Sequence, residues 1–183
     1  QKYLDDVTVQ TARDIHDALT NKMTSLVTIS DTASHLDEEC TGEEQLVEFL
    51  HRKAQILEFD PLILLHRDGT IISSDGDSAP PWIASADFFQ IDGVLASFEG
   101  EVKANYIGGQ SIFYSVPISR KGQIDEVLIG VRSKENMQAM ISTKNFDGEM
   151  LSCIINSTGQ VVISPTDLKP FLRLDDIFRE NKD

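Results

Sequence analysis

The sequence predicts an α+β fold in which a long N-terminal helix precedes an antiparallel five-stranded sheet. Three observations carry that prediction. Apolar residues recur at the helical period through the first 36 positions, with no Pro or Gly among them. Strand-like runs follow in adjacent groups, two before and three after a segment of prolines, aromatics and short helical pieces, and adjacent strand runs favour antiparallel pairing. A hairpin-like pattern near the C-terminus then repeats the first hairpin.

In YLDDVTVQTARDIHDALTNKMTSLVTISDTASHLDEE the apolar positions are Leu4, Val7, Ala12, Ile15, Leu19, Met23, Leu26, Ile29, Ala33 and Leu36, a mean step of about 3.6 residues. One helix of roughly 50 Å is expected within residues 1–40. It far exceeds the ordinary globular helix, and a helix this long serves to span a second body: a membrane, a partner helix or two stacked domains.

Thr41 and Glu44 have capping-box spacing, and Leu46, Leu50, Ala54 and Leu57 share one helical face, so a second helix is expected over about 42–58. The acidic cluster Asp37–Glu44 reads as a loop and a helix N-terminus, where carboxylates complement the dipole, rather than as a metal site. In FDPLILLHRDGTIISSDGD, the runs PLILL and TIISS flank HRDG, a turn with a glycine available for positive φ. DSAPPWIASADFFQIDGVLASF reads as a loop-and-helix crossover lying over the sheet. Strands are expected at about 101–107, 110–119 and 124–132, which closes a first module over 41–132. SKENMQAMISTK then reads as a connecting helix over 133–148, capped by Ser133.

ILLHRDGTIISSDGD (63–77) overlays CIINSTGQVVISPTD (153–167) at a constant offset of 90. Gly69 meets Gly159, Ser74 meets Ser164 and Asp77 meets Asp167, and each hairpin follows a helix. An internal repeat implies one structural unit used twice. Residues 149–183 are therefore expected to begin a second module that is cut short. A single module carrying an additional hairpin and helix is the other arrangement compatible with the pattern.

The net charge of −14 argues against nucleic acid and against docking on an anionic membrane, since both need clustered Lys and Arg. Cys40 and Cys153 read as two unpaired small residues, with a disulfide between them as the other arrangement that the sequence leaves open. No apolar run reaches the roughly 18 residues of a membrane span, and no signal peptide is visible at Gln1. The four histidines, His16, His35, His51 and His66, form no metal-binding spacing, so no metal or other cofactor is expected. GGQSIF does not meet the nucleophile-elbow pattern, and DGD at 75–77 lacks the rest of a calcium loop. No catalytic constellation is found, and the domain is not expected to be an enzyme.

The order of a long N-terminal helix, LILLHRDGTIISS, PPW, IFYSVPISRKGQIDEVLIGVRSKENM and a second hairpin CIINSTGQVVIS resembles the double Cache (PAS-like) extracytoplasmic sensor domains of bacterial transmembrane receptors. The resemblance covers essentially the whole chain. Its wording is also similar to ectodomains of clostridial proteins with GGDEF or EAL output domains. It implies a PAS-like sheet and the start of a second PAS-like module. It further implies a homodimer through the N-terminal helix, membrane anchoring by helices outside this sequence, and a small-molecule ligand held between the sheet and the 75–108 crossover. Trp82, Tyr106, Tyr114, Ser73 and Arg132 are the ligand-binding residues it suggests. Amino-acid-binding members place an Arg shortly before the Trp and an Asp on the last strand. Here Ser78, Ala79, Pro80 and Pro81 precede Trp82, and the last strand ends Val131-Arg132-Ser133, so the usual amino-acid pose is not expected. The alternative reading is a PAS-like scaffold or dimerisation module that binds no small molecule.

Overall fold

The computed structural model describes residues 2–34, 42–76, 92–100, 103–108, 111–133, 135–136, 154–155 and 161–163. The chain forms two compact units, one of residues 12–132 and one of residues 1–11 with 133–183.

The predicted long helix is α1, Lys2–Ser34, uninterrupted over 33 residues. Leu26, Ile29 and Ala33 on one of its faces are buried, and Ser30 between them donates to the Pro117 carbonyl at 2.5 Å. Helix α2, Glu43–Leu57, begins one residue later than the capping box implied. Its N-cap is Gly42, whose carbonyl accepts from the Gln45 and Leu46 amides, and Thr41 lies outside the described residues. Glycine caps about as well as threonine, and Glu43 and Glu44 in the first turn complement the dipole. At the other end Glu58 adopts the left-handed conformation (φ 54°), and the Phe59 amide turns back to the Ala54 carbonyl at 2.9 Å. Lys22 of α1 donates to the Leu57 carbonyl left open there.

Strands β1 (Leu62–His66) and β2 (Ile71–Ser73) form the predicted hairpin. Gly69 takes φ +94° in its turn, and Asp68 accepts from the Thr70 amide at 2.8 Å. That bond holds the Asp68 carboxyl below the usual carboxylate range. Helix α3 (Asp92–Phe98) precedes β3 (Lys103–Gly108), β4 (Ser111–Arg120) and β5 (Gln123–Ser133). The sheet order is β2-β1-β5-β4-β3, so the first and last strands of the module lie side by side at its centre. Leu62 through His66 pair antiparallel with Gly130 through Glu126. Strands β4 and β5 turn tightly at Lys121 and Gly122, both at positive φ.

The strand alternation divides the core in two. Ile63, Leu65, Phe113, Val127, Ile129 and Val131 cluster with Val94 of α3. Leu62, Leu64 and Leu128 alternate with them and are equally buried on the face shared with α1 and α2. Phe59 seals that helix face: its ring lies so close to Gly130 that a Cβ there would sit 2.6 Å from Phe59 Cε1. Each fully buried aliphatic or aromatic side chain contributes about 1.5–3 kcal/mol, so both faces are needed to hold the module.

In the second unit β6 (Ile154–Ile155) pairs antiparallel with β7 (Val161–Ile163). Leu65 opposes Ile71 in the first hairpin, and Ile155 opposes Val161 in the second, so the offset of 90 holds at that pair; one step further out an irregularity shifts the second hairpin, where Ile154 opposes Ile163 while Leu64 opposes Ile72. Ser133 Oγ accepts from the Asn136 amide at 3.4 Å, the cap expected for the connecting helix. The expectations for 137–148, and for Cys40 and Cys153, fall outside the described residues.

Candidate functional site

Helix α3 has only seven residues, yet three of them at i, i+3 and i+4 face the sheet: Val94, Ser97 and Phe98. Val94 and Phe98 join the apolar cluster. Ser97 is fully buried and meets Ser115 of β4, also buried, with 3.0 Å between the two hydroxyl oxygens. Ser115 alternates with Phe113, so the strand delivers an aromatic ring and a hydroxyl to the same face two residues apart. Ser73, at the end of β2, stands opposite Ile63 and is likewise buried on this face. The α3 face is thus an apolar wall interrupted by serine hydroxyls.

The residues suggested in the sequence divide between the two faces. Ser73 lies on the α3 face, and Tyr106 occupies the β3 position paired with Phe113. Tyr114 and Arg132 lie on the helix face. The Tyr114 ring packs edge-on against Phe59, with centroids 6.0 Å apart and planes at 73°. Its buried hydroxyl has no hydrogen-bond partner among the described residues, and burial pushes its pKa up to about 12, against a smaller opposing pull from Arg132. Arg132 Nη2 is 3.7 Å from Glu58, whose carboxylate also meets Lys22 at 3.2 Å. The bond from Lys22, aided by the charges of Lys22 and Arg132, holds Glu58 below the usual carboxylate range. Trp82 lies outside the described residues. Ser97, Ser115 and Phe113 were not singled out from the sequence. The available signal was parity: Tyr114 and its two neighbours on β4 must point to opposite faces.

Nothing described on the α3 face activates a serine as a nucleophile. Among the described residues the buried polar side chains are serines and Glu126. Glu126 is on the helix face, 3.3 Å from His66 and 3.1 Å from Arg120. No group of three or more His, Cys, Asp or Glu among the described residues is arranged to hold a metal. What the serines can do is accept and donate hydrogen bonds within an apolar surround.

A separate groove of about 690 Å³ opens between α2 and the end of β2, lined by Glu44, Glu48, His51, Ser74 and Asp75 among others. His51 Nδ1 is 3.0 Å from the Ser74 carbonyl, and Gln55 lies 2.9 Å from its other ring nitrogen. Three carboxylates, Glu44, Glu48 and Asp75, stand on its rim, while most of its lining surface is apolar. No helix among the described residues is long and apolar enough to cross a membrane.

No protein-family model matches the chain, and no curated protein matches it by sequence. Solved structures do match. The ligand-binding domain of the Pseudomonas aeruginosa PAO1 amino-acid chemoreceptor PctC, in complex with GABA, superimposes with a TM-score of 0.74 at 18% identity, over 99% of this chain and 82% of that one. The ligand-binding domain of the Pseudomonas fluorescens chemoreceptor CtaA, in complex with L-isoleucine, gives 0.75 at 16% identity, over 100% and 75%. That of the Campylobacter jejuni chemoreceptor Tlp3, in complex with L-norvaline, gives 0.70 at 15% identity, over 100% and 78%. The fold is therefore the Cache-type sensor fold of these ligand-binding domains.

Proposed function

We propose that this chain is the extracytoplasmic small-molecule-sensing domain of a bacterial transmembrane receptor, with its ligand held on the α3 face of the sheet. The observation that carries the reading is the Ser97–Ser115 hydroxyl pair sealed in an apolar wall. Small-molecule sites combine apolar walls with a few convergent polar groups, and buried hydroxyls are costly unless they are paired. The α2 groove offers a different kind of site, a mostly apolar surface with three carboxylates at its rim and no paired hydroxyls, and is the second place a ligand could be sought. Support also comes from the similar domains, which hold GABA, L-isoleucine and L-norvaline. The Arg and Asp of the usual amino-acid pose are absent from this sequence, so the ligand sits differently or belongs to another class.

In this reading Ser73, Ser115 and Tyr106 supply the sheet side of the site, and Ser97 and Trp82 its crossover side. Tyr114 and Arg132 support it from behind. Helix α1 pairs with its copy in a homodimer, residues 149–183 begin a second PAS-like module, and ligand binding shifts the population of two dimer arrangements. The output is a cytoplasmic enzyme of the receptor, a diguanylate cyclase, phosphodiesterase or kinase. The domain itself binds and does not catalyse.

The test is a thermal-shift screen of this chain against amino acids, organic acids, amines, sugars and nucleobases. A ligand at 100 times its dissociation constant adds about 2.7 kcal/mol of stability. A hit lost on Trp82→Ala and weakened by Ser115→Ala is the expected result. No shift with any set, in folded protein free of co-purified ligand, supports the scaffold reading instead.

A further inference from the structure

A helix of seven residues does not hold itself together, because nucleation is costly and its last carbonyls have no partner within the helix. Helix α3 also carries no basic residue in its own last turn to offset the negative end of its dipole. The missing cation comes from elsewhere in the chain. Arg67, in the β1–β2 turn, donates from Nη2 to the Phe98 carbonyl at 3.2 Å and to the Ile124 carbonyl at 2.9 Å. Its guanidinium carbon lies 5.2 Å from the Phe98 ring centroid, and its Nε is 3.7 Å from Asp125. Its own amide donates to the Asp125 carbonyl at 2.8 Å, which fixes the base of the side chain on β5. One planar fork thus joins the end of α3, the turn of the first hairpin and the start of β5.

We infer that Arg67 is a positioning residue for the ligand site: it fixes the C-terminal end of α3 and so sets where Ser97 stands against Ser115. The inference rests on the α3 face being the ligand face. Both carbonyl bonds leave one nitrogen, Nη2, so what a guanidinium adds over an ammonium is an extended group that makes them while its carbon lies over the Phe98 ring and its Nε faces Asp125. The Asp125 pair is exposed on both sides and is the dispensable part of the arrangement.

Native-state hydrogen exchange on the full chain tests this directly. The Glu99 amide donates to Leu95 and Ala96, and the Gly100 amide to Ser97, so these two amides report the last turn of α3. Arg67→Ala is expected to speed their exchange about tenfold or more while the Leu64 and Leu128 amides at the sheet centre keep their protection. Arg67→Lys should restore little of it, and Asp125→Asn should leave it intact. The second arm measures binding of GABA, L-isoleucine and any screen hit, for which Arg67→Ala should weaken affinity about fivefold or more. Unchanged exchange at Glu99 and Gly100, or an equal rise at every amide, overturns the inference. So does faster exchange in α3 with unaltered affinity for a confirmed ligand. If no molecule binds the wild type, the failure falls on the ligand reading, and the exchange arm decides the role of Arg67 by itself.

Discussion

The two faces of the central sheet are made by the same strands, residue by alternate residue, yet they keep different company. The helix face holds large side chains and charges: Tyr114 against Phe59, Glu126 between His66 and Arg120, and Arg132 reaching Glu58, which Lys22 of α1 also holds. Among the described residues the buried part of the α3 face is aliphatic, aromatic or serine. A long helix and its neighbour cover the first face, and a seven-residue helix pinned from outside lies on the second. Among the described residues the longer helices thus pack on the first face. The α3 face is the one we propose for recognition, since its paired serine hydroxyls stand within an apolar surround.

The sharpest way to break this contrast is to remove the keystone of the helix face. Phe59→Ala should cost about 3–5 kcal/mol in denaturant unfolding, through lost transfer energy and the cavity left against Gly130 and Tyr114. A loss below about 1 kcal/mol would show that the helix face is not the stabilising one.

Next in size is an alkaline effect. The Tyr114 phenol is pushed from 10.0 up to about 12 because the folded state disfavours its charged form. A raised pKa means that the contribution is fully present below pH 10 and is lost as pH rises through 12. The two-unit gap corresponds to about 2–3 kcal/mol. Tyr114→Phe removes this component, so the stability difference between variant and wild type should grow in the variant's favour between pH 10 and 12. Near pH 8 the variant should already be the more stable by about 1 kcal/mol, because the buried hydroxyl has no hydrogen-bond partner among the described residues to repay its desolvation.

The smallest effect belongs to the α3 face. Ser115→Ala should cost about 1 kcal/mol by leaving Ser97 without one partner. A cost as large as that of Phe59→Ala would erase the distinction between the faces.

Much of this fold was legible in the sequence because the relevant signals are local. The helical period marks α1 to within a few residues at each end. HRDG marks the first turn, where Gly69 takes positive φ. The repeat offset matches the pair Ile155–Val161 of the second hairpin but not the register shift beside it. The α2 boundary was less legible, because Thr41 and Gly42 are adjacent and both cap well. The division of site residues between faces was the hardest part. IFYSVPI is buried on both sides, so no alternation of apolar and polar residues shows which side chain points where. Tyr114 is assigned to the helix face by the ring of Phe59, and Arg132 by Glu58, and both partners are remote in sequence. Ser97 is one small residue in a short helix, and its weight comes only from meeting Ser115.

The central claim is that the α3 face is the ligand face. The direct measurement is the dissociation constant of a screen-identified ligand for wild type, Ser115→Ala and Tyr114→Phe, neighbouring positions on one strand that point to opposite sides. The account predicts about tenfold weaker binding for Ser115→Ala, the loss of one hydrogen bond in a dry site, and unchanged binding for Tyr114→Phe. Unchanged binding for Ser115→Ala with a clear loss for Tyr114→Phe would place the ligand on the helix face and contradict it.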